Sequence, residues 1–229
     1  MTPENLNGLE HCLRHLGFAS RQGIMYDIVQ HVAKGFRAFQ LEFSHQFDKE
    51  TIVTATLHFE REPVIRYYRF RKYKVTLQYI TGLEADRSTI IYLPEVLGIG
   101  VTIQQAFNLL QGRAVYTTLY NNVDHLYNTW IKVNFGKIDR KGHYLIEPCG
   151  LPHDFNLQEL LRKLPIRNFN TVKKRDSLVH SLQNGDRVFI SLKGRNTHTM
   201  EIEVDVEKAA LKTSTFKDSK NGDLPPATY

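Results

Sequence analysis

The sequence predicts an α+β protein made of two related units, each a helix followed by antiparallel strands, and completed by a C-terminal helix and β-hairpin. Two observations predict this class. Hydrophobic residues recur first at helical spacing and then at every second position, and a similar order of patterns returns further along the chain. With 229 residues, of which 41% are hydrophobic and 24% charged, the chain has an ordinary globular composition.

Helical spacing dominates the N-terminal segment. Leucines at positions 6, 9, 13 and 16 form one stripe, and Ile24, Ile28 and Val32 form a second, with glycines between them. From Phe36 onward the period becomes two, first in 39–43 and then in 53–59, on either side of the turn-like sequence FDKE. We therefore expect two core-facing helices followed by strands.

An internal repeat is indicated when the chain is compared with itself at an offset of 76 residues. Segment 32–40, VAKGFRAFQ, aligns with segment 108–116, NLLQGRAVY, and the alignment continues without a gap until Tyr68 falls on Tyr144. The order of helix and strand patterns is the same in both copies. Two related units are therefore predicted.

The units divide at the proline and glycines that follow position 93. Residues 1–95 form the predicted N-terminal unit and residues 101–212 the C-terminal unit, while 213–229 hold turn formers without apolar periodicity and are expected to form a flexible tail. Within the C-terminal unit, a helix should end at Gly185 and a hairpin should turn at Gly194, giving a third helix-plus-hairpin motif.

The junction Gly112-Arg113-Ala114-Val115 joins a predicted helix to a predicted strand. We expect Gly112 to supply a left-handed C-cap and Arg113 to reach back to the last carbonyls of the helix or to a nearby acid. The single tryptophan, Trp130, opens an alternating strand and is predicted to anchor the core.

Four segments of the C-terminal half carry a resemblance to a known family: VTIQQAFNLLQGRAVY, YNTWIKVNF, IDRKGHY and LVHSLQNGD. In order and spacing they resemble an uncharacterised protein family of Bacteroidetes, whose members are often carried on conjugative transposons and other mobile elements. The resemblance runs from Val101 to about Lys193 and is fainter up to Tyr92, whereas the segment IEVDVEKAALKTSTFKD departs from the usual end of the family. It implies an accessory role in mobile-element biology and no particular mechanism.

Most of the excess positive charge lies around the stretch RYYRFRKYKV at positions 66–75. Residues 60–74 contain six cations and two acids, which gives +4 within a chain whose net charge is +6. Cations that contact phosphates, interleaved with rings on which bases stack, are typical of nucleic-acid surfaces. This predicts an interface formed by Arg66, Arg69, Arg71, Lys72, Lys74, Tyr67, Tyr68 and Tyr73.

A solvated strand that protects a sheet edge is the alternative interpretation of the same stretch. On a regular strand the cations and aromatic residues would be mixed on both faces, so neither face would be purely basic. We expect a bulge or a strong twist to switch the faces midway and let aromatic rings pack inward for part of the strand.

Other residue groups indicate neither an enzyme nor a bound metal or cofactor. His11 and His15 have the spacing of two ligands on one helix face with Cys12 beside them, but no further ligands stand at metal-binding spacing. Ser177 and Ser181 lie near His180 without a nucleophile-elbow motif, and no phosphate-binding glycine loop opens a helix. Catalysis and cofactors are therefore not expected.

The sequence thus favours a non-enzymatic accessory protein that acts by binding. We expect a protein partner, held at an exposed strand edge or an apolar groove, with nucleic acid as the alternative partner. The absence of a long apolar run or a secretory signal predicts a cytoplasmic protein that does not enter the membrane, and the two distant cysteines suggest no disulfide framework.

Overall fold

The fold is α+β, as predicted, and contains three antiparallel sheets, each following a helix. The structure is a computed structural model, and it describes residues 2–20, 22–94, 99–120, 125–152, 155–167, 171–193 and 199–215. Within these ranges five α-helices and ten strands are formed. No helix in the described ranges is both long enough and apolar enough to cross a membrane.

The N-terminal half forms a four-stranded meander with the strand order β1-β2-β3-β4. Its helices cover one face of the sheet, where phenylalanine, leucine and valine side chains are buried, and leave the other face open. The sheet is therefore amphipathic, as the two-residue period predicts. The elements are α1 (Pro3–His15), α2 (Ile24–Ala33), β1 (Ala38–His45), β2 (Thr51–Arg61), β3 (Tyr68–Tyr79) and β4 (Arg87–Tyr92).

The middle of the chain forms a second, three-stranded meander. Thr102 begins its helix with a capping box, in which its side chain accepts from the Gln105 amide and the Gln105 side chain accepts from the Thr102 amide. The sheet lies beside the first one, and the Thr89 hydroxyl donates to the Tyr144 carbonyl over 2.8 Å. The elements are α3 (Ile103–Leu110), β5 (Val115–Tyr120), β6 (Leu126–Ile138) and β7 (Tyr144–Pro148).

The C-terminal part forms a third meander in the order β8-β9-β10, where the sequence predicted a hairpin. The turn predicted at Gly194 lies outside the described residues. The tail predicted from residue 213 is wrong at its start, because strand β10 continues to Thr215, and residues 216–229 are not described. The elements are α4 (Leu157–Arg162), α5 (Val172–Gln183), β8 (Val188–Ser191), β9 (Thr199–Asp205) and β10 (Ala210–Thr215).

Three helices end with the same hydrogen-bonded turn. Gly35, Gly112 and Gly185 all have positive φ, and in each case the amide of the next residue donates to the carbonyl five positions before it. The following strand starts three residues after each glycine, at Ala38, Val115 and Val188. The predicted C-cap at Gly112 and the predicted helix end at Gly185 are confirmed.

The gap-free alignment of the repeat is out of register at the helix ends. It places Phe36 on Gly112, whereas the glycines that end α2 and α3 are Gly35 and Gly112, which are 77 residues apart in the sequence. One residue must therefore be shifted at this point. The relation between the two units remains a prediction, although both have a helix followed by a meander.

Two clusters of buried side chains form the core, and they do not divide at residue 95. The first includes the inner face of the N-terminal sheet, the buried hydrophobic residues of α3 and the strand residues Val115, Ile131 and Val133. The second lies beneath β8–β10 and contains Trp130, confirmed as a buried anchor that packs against Tyr116 and Phe155. The second sheet thus shares its two faces between the two cores.

Candidate functional site

Strand β3 carries most of the predicted interface, and a bulge divides it. His58 pairs with Lys72 and the next residue, Phe59, pairs with Phe70, so Arg71 is the extra residue. Phe70 faces the core before the bulge and Tyr73 faces it after the bulge. Because an extra residue reverses the alternation of side chains, the predicted switch of faces is confirmed.

Tyr68 and Tyr73 cannot stack on bases, which corrects the predicted interface. Both side chains are buried, and their hydroxyls donate to the carbonyls of Phe36 over 2.7 Å and of Val101 over 2.6 Å. A buried phenol that makes such a bond is a core residue. Burial also raises the pKa of Tyr73 well above its ordinary value.

Arg69 and Arg71 lie in ion pairs. The Glu62 carboxylate contacts the Arg71 guanidinium and lies 3.6 Å from Nε of Arg69, and Glu60 lies 3.7 Å from Nε of Arg71. These acids come from the end of β2 and its turn, opposite the start of β3. Arg69 and Arg71 are therefore paired within the hairpin, and the predicted phosphate contacts of both arginines would compete with the acids.

Arg66 and Tyr67 lie in the turn between β2 and β3. Arg66 is exposed and has a φ of 56°, in the left-handed region. Tyr67 borders a cavity of about 230 Å³ between α1 and β3, together with Arg69 and Arg71. Asn5 of α1 holds the start of β3 against the helix, because its side chain accepts from the Tyr68 amide and donates to the Tyr68 carbonyl.

Lys72 and Lys74 lie on the open face of the N-terminal sheet. Nζ of Lys72 is 5.5 Å from the centroid of the Tyr92 ring, which is 70% exposed on the neighbouring strand β4. His58 lies opposite Lys72 on β2, and its pKa is lowered by burial and by the charge of Lys72. These lysines and Tyr92 combine cations with an accessible ring, the combination that the sequence placed on β3 alone.

Exposed apolar side chains lie on α2 and in the turn that leads to β1, the opposite edge strand of the same sheet. Tyr26 and Val29 on α2 are 66% and 39% exposed, and Phe36, between α2 and β1, is 47% exposed. Strand β1 begins two residues later, and no other described strand pairs with its outer side. We call these three side chains and the edge Ala38–His45 the α2–β1 surface.

The edges formed by β8, β4 and β7 have neighbours along part of their length. Ile166 forms a bridge with Leu192, and the amide of Arg167 donates to the Ser191 carbonyl over 2.7 Å, so this segment covers the outer side of β8. At the other end of the N-terminal sheet, β4 lies beside β7. No described strand pairs with the outer side of β1, β5 or β10, and β1 is the longest of these three edges, with eight residues. It contains neither proline nor lysine, two residues that commonly protect edges.

Sequence reasoning missed the α2–β1 surface because it followed only the buried stripe of α2. The buried stripe of α2 is formed by Ile24 and Ile28, whereas Tyr26 and Val29 lie on the side of the helix that faces away from the core. Tyr92 was missed for another reason: it joins the lysines only through the pairing of β3 with β4. The exposed apolar residues of α2 were visible in the sequence, but the pairing was not.

The described residues form no metal site, and comparison with known proteins finds no relative. In the described ranges, no group of three or more histidine, cysteine or acidic side chains could hold a metal ion, and the rings of His11 and His15 stack with their centroids 6.4 Å apart. No family model, curated protein or solved structure matches the chain.

Proposed function

We propose that the chain is a non-enzymatic accessory protein that binds a protein partner at the α2–β1 surface. The observation that carries the proposal is the outer side of β1, which pairs with no described strand and is preceded by exposed Phe36 and by exposed Tyr26 and Val29 on α2. An uncovered edge presents unpaired amides and carbonyls that an extended partner segment can bind. Apolar side chains beside it supply the area that backbone hydrogen bonds alone lack.

The expected mode is strand addition. A partner segment pairs with Ala38–His45, and its side chains alternate between the two faces of the sheet. On the open face they meet Gln40, Glu42 and Ser44, which are exposed on β1. On the helical side, the rest of the partner covers Tyr26 and Val29.

The resemblance to the Bacteroidetes family supports a mobile-element setting for this binding. A partner encoded on the same element would be made together with the chain, which makes the neighbouring gene products the first proteins to examine. The setting is part of the proposal and gives it a defined set of candidate partners.

Site-specific photo-crosslinking tests the proposal. A photoreactive phenylalanine analogue placed at position 36 should give one discrete adduct when the chain is co-expressed with neighbouring gene products. The paired substitutions Tyr26→Lys and Val29→Lys, on an exposed helix face, should remove that adduct. The analogue at Leu83, which is 88% exposed on another turn, is the matched control.

Two outcomes contradict the proposal. One is an adduct of equal yield from position 83, because a surface that reacts no better than a loop is not a specific interface. The other is an adduct at position 36 that persists in the doubly substituted protein. The fold of that protein is checked by its circular dichroism.

Nucleic acid binding is the second candidate, favoured by the position of Lys72 and Lys74 beside exposed Tyr92. The test is a titration of labelled single- and double-stranded oligonucleotides over a range of salt concentrations. Replacing both lysines with glutamine should make the negative slope of log affinity against log salt shallower by roughly 1.5, because each phosphate contact contributes about 0.7–0.9 to its magnitude.

The matched control replaces Lys173 and Lys174, two exposed cations at the start of α5, with glutamine. Equal slopes for the two double variants would rule out the sheet face as the interface. Charge reversal at Arg71 is a poor test, since it would place a third carboxylate beside Glu60 and Glu62 and disturb the hairpin.

A further inference from the structure

A cavity of about 520 Å³ lies where α3, the β1–β2 loop and the junction of α5 with β8 meet. This size is within the usual range of small-molecule sites. It shares no residue with the α2–β1 surface, although Phe47 follows the end of β1 by two residues. The residues that line it and carry the argument are Phe47, Asp48, Gln111, Arg113, Asp186 and Arg187.

Arg113 is held in this cavity by two neutral side chains. Its guanidinium donates to the Asn108 side-chain oxygen and, over 2.5 Å, to that of Gln111. The amide nitrogens of these residues then donate to carboxylates, Asn108 to Asp186 over 2.8 Å and Gln111 to Asp48 over 3.1 Å. The predicted contact of the Arg113 side chain with helix carbonyls or an acid is therefore wrong. The side-chain amides of Asn108 and Gln111 lie between Arg113 and the carboxylates of Asp186 and Asp48.

This arrangement fixes the guanidinium and leaves part of its hydrogen-bonding capacity unused. Nε of Arg113 is buried and makes no hydrogen bond within the described part of the chain. Burial, followed by repulsion from Arg187, lowers the pKa of Arg113 to about 10. Two guanidinium groups that repel each other are stabilised by an anion placed between them.

The rest of the cavity limits what the anion can be. The Asp48 carboxylate is satisfied by the Thr51 hydroxyl and by the amides of Glu50 and Thr51, and these bonds lower its pKa despite burial. Its negative charge disfavours ligands with several anionic groups. Phe47 stacks on Phe107 with centroids 4.9 Å apart and provides an apolar wall.

We infer that this cavity binds a small organic anion that carries one carboxylate or phosphate group on a flat apolar body. The anionic group contacts Arg113 and Arg187, and the apolar body lies against Phe47. Nothing in this assignment depends on the protein-binding role proposed above.

The test follows the arginine Nε–H signals of ¹⁵N-labelled full-length protein by nuclear magnetic resonance. Benzoate, phenyl phosphate and the neutral benzamide are titrated separately up to millimolar concentrations. The Arg113 signal is identified by its loss in the Arg113→Lys protein. It should shift with benzoate or phenyl phosphate and stay in place with benzamide, and the more effective anion identifies the preferred group.

Two substitutions that disturb the same ion pair separate binding from structure. Arg187 and Lys212 both contact Glu203, over 2.9 and 2.6 Å, but only Arg187 lines the cavity. Arg187→Gln should weaken anion binding at least tenfold, which is ~1.4 kcal/mol, and Lys212→Gln should leave it unchanged. Equal effects of both substitutions, equal shifts with benzamide, or no shift with either anion would overturn the inference.

Discussion

Replacing Gly185 with alanine tests the turn that joins α5 to the third sheet. Gly185 has a φ of 82°, and a Cβ at this position would lie 2.8 Å from the Ala114 carbonyl oxygen and 2.9 Å from Cγ1 of Val115. The backbone of Ala114, at the start of the neighbouring chain segment, cannot move aside as the end of a flexible side chain can. The substitution therefore combines backbone strain with overpacking.

The expected cost is the sum of these two effects. A left-handed conformation costs a residue with a Cβ about 1–2 kcal/mol, and overpacking a close-packed site typically costs about 1–3 kcal/mol. Gly185→Ala should therefore lower the free energy of unfolding by roughly 2–5 kcal/mol.

Gly35→Ala separates the two effects. Gly35 ends α2 with the same turn and has a φ of 74°, but apart from its chain neighbours no described residue has an atom within 4 Å of its would-be Cβ. It should lose only the backbone part, about 1–2 kcal/mol. Urea unfolding followed by far-ultraviolet circular dichroism measures both variants, and Trp130 fluorescence reports on the second core. An equal loss in the two variants would refute the packing argument.

Two further substitutions test buried hydrogen bonds. Asn5→Ala removes both bonds to the Tyr68 backbone and should lower the free energy of unfolding by about 2–4 kcal/mol, measured by urea unfolding. Tyr73→Phe leaves the Val101 carbonyl unpaired and should cost about 1–2 kcal/mol at neutral pH. Because the Tyr73 pKa is raised in the folded protein, its phenol ionises first in the unfolded chain, and stability should fall above about pH 10, less steeply in Tyr73→Phe.

The fold class could be predicted because its evidence is local. Helical and two-residue periods lie within single elements, and the bulge in β3 followed from a stretch whose aromatic residues could not all face inward on one regular strand. Strand β10 was missed because it lacks such a local pattern. Its residues KTST are polar and carry no alternation, so its pairing with β9 depends on backbone bonds that no side-chain pattern reveals.

The site could be predicted only in part because it depends on pairing between distant residues. Composition placed cations and rings on β3, but it could not show that Tyr68 and Tyr73 point into the core. Nor could it show that the turn from β2 brings Glu62 against Arg69 and Arg71. Burial and charge compensation are properties of the register, which the sequence of one strand does not determine.

The two candidate interfaces of the N-terminal sheet are close enough to influence each other. Only β2 separates β1 from β3, so the edge and the row that carries Lys72 lie roughly 10 Å apart at the usual strand spacing. A strand added to β1 would extend the same open face that an oligonucleotide would cover. Photo-crosslinking at position 36 in the presence of an excess of oligonucleotide therefore tests their relation. A reduced adduct would show that protein and nucleic acid compete for the sheet. An unchanged adduct would show either that strand addition leaves the face of Lys72 and Lys74 accessible or that no nucleic acid binds there. The salt titration distinguishes these two cases.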